Sequence, residues 1–205
     1  MDSDLRERLR TGALDLQVSL DGAQLDSFDR YLALLLQWNE RINLTAVRDA
    51  RGIVERHFLD SIAIVSALEG AKTLVDIGSG AGFPGAVAAL CLPKLEVTCV
   101  DSIQKKIAFL QTLKRELLSN LQPIAARDSE LAAQGRTFDA AVSRATWDPQ
   151  EWLEHGAVLV NAGGVVIAMQ AGETALTPPP TLTHRRTLRL LNDGRVHQVV
   201  SFVHQ

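Results

Sequence analysis

Apolar residues recur every three or four positions over the first third of the chain, which is the spacing of an amphipathic helix. One such run, from Leu25 to Leu36, predicts a helix that Asp21 or Ser19 is placed to cap. A second run predicts another helix over residues 51–68. We therefore expect an N-terminal helical extension over residues 1–70.

Beyond residue 70 the pattern changes to short continuous apolar runs separated by helical stretches. Five runs predict buried strands, at residues 73–77, 96–101, 123–126, 138–143 and 165–169. Helices are predicted at 103–118 and 152–160, and a β-hairpin at 187–191 and 196–203 with a turn at Asn192-Asp193-Gly194. This alternation predicts an α/β fold with a doubly wound, mostly parallel sheet over residues 71–205.

The first predicted strand runs into a glycine-rich turn. Asp76 lies near its end, and four glycines follow: Gly78, Gly80, Gly82 and Gly85. Pro84 lies where a helix would begin, a position that proline favours. Glycine lets the backbone bend sharply and lets a ligand lie against bare main chain. The segment therefore predicts a site for a nucleotide-like ligand, against the simpler alternative of a glycine turn that binds nothing.

Two cofactors compete for this turn. Gly80, Gly82 and Gly85 fit the dinucleotide pattern G-x-G-x-x-G, which is weak by itself. An acidic residue followed by alternating glycines resembles the first motif of S-adenosylmethionine-dependent methyltransferases. That cofactor carries a sulfonium cation, and a carboxylate suits a cation better than it suits two phosphates. The charge argument favours S-adenosyl-L-methionine, with Asp76 and Gly80 among its contacts.

Polar residues also follow the next predicted strands, where ligands bind in open α/β sheets. Asp101 ends the second strand and is placed to bind a ribose diol, or else to cap the following helix. Asp128 and Ser129 follow the third strand, as contacts for an adenine edge or as part of a solvated turn.

Arg144 follows the fourth strand, where methyl-transferring enzymes usually meet their acceptor. The segment has neither the Asn/Asp-Pro-Pro-aromatic run of exocyclic amine methylation nor a cysteine nucleophile. An arginine suits a nucleic-acid phosphate, a guanine edge or the cofactor carboxylate, and the simpler alternative is a structural ion pair. His57, Asp60 and Ser61 lie one turn apart on a helix, which does not fit a hydrolase triad.

Composition narrows the function further. The net charge of −3 means that binding of nucleic acid would require a local basic face, either Arg41 to His57 or the Lys105–Arg115 region. Cys91 and Cys99 lack metal-ligand spacing and are expected to be buried free thiols. We predict no metal ligand, nucleophile or general base. A charged N-terminus and the lack of a long apolar run predict a cytoplasmic protein without a membrane segment.

Together these residues resemble the glucose-inhibited-division-B family, methyltransferases that modify guanine N7 in bacterial 16S rRNA. The matching segments are Trp38-Asn39, Asn43-Leu44-Thr45, His57-Phe58-Leu59-Asp60-Ser61, Val75 to Gly85, Asp101-Ser102, Lys105-Lys106, Phe109-Leu110 and Ser143-Arg144-Ala145. The resemblance implies a cytoplasmic, S-adenosylmethionine-dependent enzyme acting on 16S rRNA or the 30S subunit, with a monomer favoured. By position, it implies cofactor contacts at Gly78, Phe83, Asp128, Ser129 and Arg144.

The sequence departs from the family pattern at two places. Met169-Gln170-Ala171-Gly172 stands where the family usually has Lys-Gly, with Gln170 in place of the lysine, and Arg127-Asp128-Ser129 stands where it often has Arg-Ala-Glu. The alternatives are a small-molecule methyltransferase, a dehydrogenase, and a non-catalytic ribosome-assembly factor that retains the fold.

Overall fold

The computed structural model describes residues 1–192 and 195–205. Helices occupy Ser3–Asp15 (α1), Gly22–Asn39 (α2), Ala50–Ile53 (α3), Asp60–Ile62 (α4), Gly85–Cys91 (α5), Gln104–Glu116 (α6), Asp128–Ala133 (α7) and Pro149–Ala157 (α8). Strands occupy Thr73–Ile77 (β1), Glu96–Asp101 (β2), Leu121–Ala125 (β3), Phe138–Arg144 (β4), Val160–Ala171 (β5), Leu182–Asn192 (β6) and Arg195–His204 (β7).

The predicted helix over residues 51–68 is divided into four pieces. Between α3 and α4 the segment Val54–Leu59 is a π-helix, and Val65–Leu68 forms a 3₁₀ turn. π-Helical turns shift the side chains that follow them around the helix axis and are frequent at functional sites. The division therefore sets where His57 and Asp60 point.

The helix α2 begins as its sequence indicates. Asp21 accepts a hydrogen bond from the Gln24 amide while the Gln24 side chain accepts one from the Asp21 amide, forming a capping box. Of the two predicted caps, Asp21 is confirmed and Ser19 is wrong. The side-chain Nε2 of Gln24 also donates to the carbonyls of Leu90 and Cys91, so the same residue connects α2 to α5.

Within the described residues, seven strands form one sheet in the order β3-β2-β1-β4-β5-β7-β6. The first five are parallel and β7 pairs antiparallel with both β5 and β6. The strand order reverses between β1 and β4, where ligands bind in doubly wound sheets. The predicted fold class is confirmed.

Several predicted bounds are wrong for local reasons. β5 begins at Val160 rather than 165, because Gly163 and Gly164 form a bulge within the strand instead of preceding it. α8 begins at Pro149 rather than 152, because Asp148 caps it by accepting from the Gln150 amide. Of the predicted turn Asn192-Asp193-Gly194, Asn192 ends β6, and Asp193 and Gly194 lie outside the described residues.

Apolar side chains of the N-terminal helices and one face of the sheet form one buried cluster. Phe28 and Tyr31 of α2 pack on Phe58, with ring centroids 4.9 and 5.3 Å apart, and Tyr31 stacks on Phe83 at 5.6 Å. The division of the chain at residue 70 stays a prediction. Cys91 and Cys99 are buried free thiols, and none of the described helices is long and apolar enough to cross a membrane.

Candidate active site

Two cavities lie side by side at the carboxyl ends of the parallel strands. The first has a volume of about 570 Å³ and is lined by the loops after β1, β2 and β3, including Gly78, Asp101, Asp128 and Ser129. The second has a volume of about 430 Å³ and lies between the π-helical segment, β4, β5 and β7. Ala145 and Trp147 line both cavities. Two ligands, one in each cavity, would therefore meet at the loop that follows β4.

The glycine turn has a conformation that its residues make possible. Gly78, Gly80 and Gly82 have φ angles of +73°, +57° and +95°, which side chains with a Cβ adopt only at a cost. The amides of Gly78 and Ser79 donate to the Val100 carbonyl at 2.8 and 3.0 Å, so the turn is attached to β2. Its main chain thus forms one wall of the first cavity at Gly78.

Asp76 lies beneath this turn, fully buried. Its Oδ2 accepts a hydrogen bond from the Gly85 amide at 2.8 Å, and a Cβ added to Gly85 would lie 2.7 Å from the same oxygen. Burial raises the pKa of Asp76 to about 7, although the Gly85 bond and the charge of Arg144 oppose the rise. No donor among the described residues reaches its Oδ1.

Asp101 joins the turn to the start of α6. One carboxylate oxygen accepts from the Ile103 amide at 2.9 Å, and the other from the Gly80 amide at 3.0 Å and from Lys106 Nζ at 3.3 Å. The helix cap is Ile103, so the alternative role of Asp101 as the cap is wrong. Its carboxylate is held rigidly on the wall of the first cavity.

Asp128 and Ser129 form the first turn of α7 rather than a solvated loop. Asp128 Oδ2 lies 3.0 Å from His155 Nδ1, and the His155 ring stacks on Trp147 with centroids 4.0 Å apart. All four residues line the first cavity. Trp147 lines both cavities, while its Nε1 is shielded from solvent and finds no acceptor within the described part of the chain.

Arg144 lies on the wall of the second cavity, in a network centred on the π-helical segment. Its guanidinium lies 3.1 Å from Asp60 Oδ2, donates to the Arg56 carbonyl at 3.2 Å and stacks over Phe83 at 5.3 Å. The ion pair with Asp60 is mostly buried. The predicted alternative of a structural ion pair is thus present, and the same side chain also faces the cavity.

His57 completes this network as a neutral ring. Its Nε2 lies 2.7 Å from Thr45 Oγ1 and its Nδ1 lies 3.0 Å from the Arg56 carbonyl, which favours the tautomer with its proton on Nδ1. Burial and the nearby Arg144 charge lower the pKa of His57 to about 4. The ring stacks on Phe83 at 4.6 Å and also lines the second cavity.

The predicted site residues divide into three groups. Gly78, Asp101, Asp128 and Ser129 line the first cavity, and Arg144 lines the second. In the described structure Asp76, Gly80 and Phe83 lie behind these walls: they support the turn, Asp101 and Arg144. Trp147, His155 and Gln198 line the cavities and were not predicted.

Gln170 lies in the second cavity where the family pattern has a cation. Its amide donates to the Thr174 carbonyl at 2.8 Å and to Gln198 Oε1 at 3.0 Å, and only 7% of the residue is exposed. The neutral Gln170 side chain is therefore fixed by its hydrogen bonds to Thr174 and Gln198. A cation buried at the same position without a counter-charge would cost more free energy. Among the described residues no group of three or more His, Cys, Asp or Glu could hold a metal ion.

Comparisons with known proteins agree with this geometry. The family model for GidB, rRNA small subunit methyltransferase G, matches residues 24–197. A ribosomal RNA small subunit methyltransferase G from Desulfitobacterium hafniense is 38% identical over 175 residues, covering 82% of this chain and 73% of that protein. Its counterpart from Geobacter metallireducens is 40% identical over 187 residues, covering 89% and 85%.

Among solved structures, the magnesium protoporphyrin IX methyltransferase from Synechocystis, with SAM bound, superposes with a TM-score of 0.61. It is 15% identical and covers 91% of this chain and 99% of that one, a likeness that shows the fold alone. Because the family model and relatives near 40% identity both span most of the sequence, the chain belongs to the GidB family of rRNA small subunit methyltransferases.

Proposed function

We propose that this protein transfers the methyl group of S-adenosyl-L-methionine to N7 of a guanine in 16S rRNA. The observation that carries the proposal is the pair of cavities with one shared wall at the strand-reversal point of the sheet. A methyl donor and an acceptor base need this arrangement, because the transferred group must pass between two separately held ligands. Family membership supplies the class of both ligands.

The first cavity suits the cofactor. Asp101 offers a rigid carboxylate for the ribose hydroxyls, and Asp128 with the Ser129 amide offers an acceptor and a donor for the adenine edge. Gly78 lets the amino acid part of the ligand lie against the main chain. Bound there, S-adenosylmethionine supplies a methyl group on a sulfonium cation.

The second cavity suits the acceptor base. Arg144 and the Gln170–Gln198 pair present hydrogen-bonding groups to it, and Trp147 presents an aromatic ring. Guanine N7 carries a free lone pair, so no proton has to be removed before it attacks. His57, neutral and engaged through both ring nitrogens, is not placed to act as a base. Catalysis would then come from positioning the two ligands and excluding water, which lowers activation barriers by roughly 7–11 kcal/mol in well-oriented reactions.

We further propose that residues 1–70 form a helical extension to a cofactor-binding part over residues 71–205, and that the protein acts as a monomer in the cytoplasm. The extension would then hold the site from behind: Tyr31 packs on Phe83, and Phe83 lies under Arg144.

The decisive experiment offers the protein a labelled methyl donor together with 30S subunits, or naked 16S rRNA, from cells lacking the enzyme. We expect one N7-methylguanine in 16S rRNA to carry the label, located by mass mapping. Label on a small molecule from a cell extract, with none on rRNA, would contradict the proposal. Cofactor binding without transfer to any ribosomal substrate would instead identify a non-catalytic assembly factor.

The buried Asp76 predicts a pH-dependent preference for the cationic form of the cofactor. Its pKa of about 7 means that the carboxyl loses its proton as pH rises from 6 to 8. A nearby sulfonium then gains a favourable charge interaction, whereas the neutral thioether of S-adenosylhomocysteine does not. We expect the ratio of the two affinities, measured by calorimetry, to shift toward S-adenosylmethionine by about threefold to tenfold over this range.

The isosteric variant Asp76→Asn should make this ratio independent of pH, while the control Asp139→Asn, altered at the opposite end of the sheet, should keep the wild-type trend. A wild-type ratio that stays constant between pH 6 and 8 would show that Asp76 does not sense the cofactor's charge.

A further inference from the structure

The last strands of the sheet carry positive charge in a chain that is acidic overall. The net charge of the protein is −3, yet residues 182–205 contain four arginines, three histidines and one acidic residue. We call Arg185, Arg186, Arg189 and Arg195 the hairpin edge. All four are exposed, and β6 is the outermost strand of the sheet. This surface is distinct from the two basic sets that the sequence suggested.

The hairpin edge adjoins the second cavity through the strand register. Arg189 pairs with Gln198, and the neighbouring Leu190 pairs with His197. Gln198 and His197 both line the cavity. Residues opposite each other on paired strands have Cβ atoms about 4.5–5.5 Å apart, so Arg189 lies one strand away from the cavity wall.

Positive groups continue from the cavity to the edge. Arg144 and Arg56 line the cavity itself. Arg186 lies three residues from Arg189 along β6, which is about 10 Å at the usual rise per strand residue, and it leaves the outermost strand on the opposite face. Arg189 pairs with Glu173, but both side chains are largely exposed, and exposed ion pairs exchange partners at little cost.

We propose that the hairpin edge binds backbone phosphates of the RNA strand whose guanine enters the second cavity. The inference rests on the proposed function and adds where the RNA runs. The arginine guanidinium forms paired hydrogen bonds with phosphate oxygens, so the arginines of the outer strand, with Arg189 next to the acceptor cavity, place that backbone. Contacts of this kind fix position and register without reading sequence.

A purely protective role for the same charges makes a different prediction. Exposed edge strands often carry positive side chains that prevent them from pairing with other chains. In that case neutral substitutions would promote aggregation without changing affinity for RNA. The two roles therefore separate in a binding measurement made on monomeric protein.

The test compares two triple variants of the full chain. Arg185→Gln/Arg186→Gln/Arg189→Gln removes three cations from the hairpin edge. Lys72→Gln/Lys94→Gln/Arg136→Gln removes three from the loops before β1, β2 and β4, at the end of the sheet opposite both cavities. Affinity for 16S rRNA is measured between 50 and 300 mM KCl, with methylation kinetics on 30S subunits and calorimetric binding of S-adenosylhomocysteine in parallel.

We expect the hairpin variant to reduce the salt slope of binding by about 2, since each phosphate contact contributes roughly 0.7–0.9. Its KM for the ribosomal substrate should rise about tenfold or more, with kcat within about twofold of wild type and cofactor affinity unchanged. The control variant should match wild type in all four quantities. Equal salt slopes and equal KM values for the two variants would overturn the inference. A wild-type protein that binds 16S rRNA but transfers no methyl group would instead contradict the proposed function, while the salt slopes would still decide the role of the edge.

Discussion

The Arg144→Ala variant is expected to methylate 16S rRNA at least about 100-fold more slowly than wild type, because it removes the group that we propose positions the acceptor. Arg144 reaches the second cavity from β4 and is held by Asp60, the Arg56 carbonyl and Phe83. The variant also leaves the carboxylate of Asp60 mostly buried without its partner, which costs about 2–4 kcal/mol of stability. Single-turnover kinetics and urea denaturation measure the two effects separately.

A double variant separates positioning from stability. Arg144→Ala/Asp60→Asn removes the stranded charge, so we expect it to recover much of the lost stability while the rate stays low. If the rate returned together with the stability, Arg144 would be a structural ion-pair partner only, and its role toward the acceptor would be wrong.

The second large effect is expected from Asp101→Ala. The carboxylate accepts from the Gly80 and Ile103 amides and from Lys106, so the change removes the anchor of the glycine turn together with the proposed ribose contact. Hydrogen bonds to charged groups contribute about 1.5–3 kcal/mol each. We expect the Kd for S-adenosylhomocysteine, measured by calorimetry, to rise by roughly 100-fold or more.

Asp139→Ala provides a matched control for that change. Asp139 also accepts from two backbone amides, those of Lys72 and Thr73, but at the amino end of the sheet, far from both cavities. It should lose stability and keep cofactor affinity. Comparable losses of affinity in the two variants would mean that Asp101 acts only by holding the fold together.

The part of the site built on β1 and β2 could be predicted from sequence. Both strands are mostly apolar runs that end in a carboxylate or a glycine turn, and their bounds agree with the prediction. Because Asp101 and Asp128 follow parallel strands, the sequence also predicted that both lie at the carboxyl end of the sheet. The pattern could not predict which side chains at this end of the sheet are buried. Asp76 precedes the glycine turn by one residue, yet its side chain is fully buried beneath the turn.

The second cavity was beyond prediction for a different reason. Its walls combine the π-helical segment, the loop after β4, and β7, which meet only in the folded chain. Six residues are too few for apolar periodicity to separate a π-helix from an α-helix. Nothing in the spacing of Trp147 or Gln198 marks either as a wall residue, whereas the Asp148-Pro149 signal that begins α8 was present in the sequence.

The packing of α2 against the glycine turn has a consequence for how the chain matures. Tyr31 donates to the Ala81 carbonyl at 2.6 Å, and Gln24 donates to the end of α5, so part of the apolar stripe of α2 is covered by residues translated much later. The N-terminal third of the nascent chain therefore leaves the ribosome with exposed apolar surface. Until β1 and α5 have emerged, that surface is a natural target for chaperones that hold unfinished polypeptides.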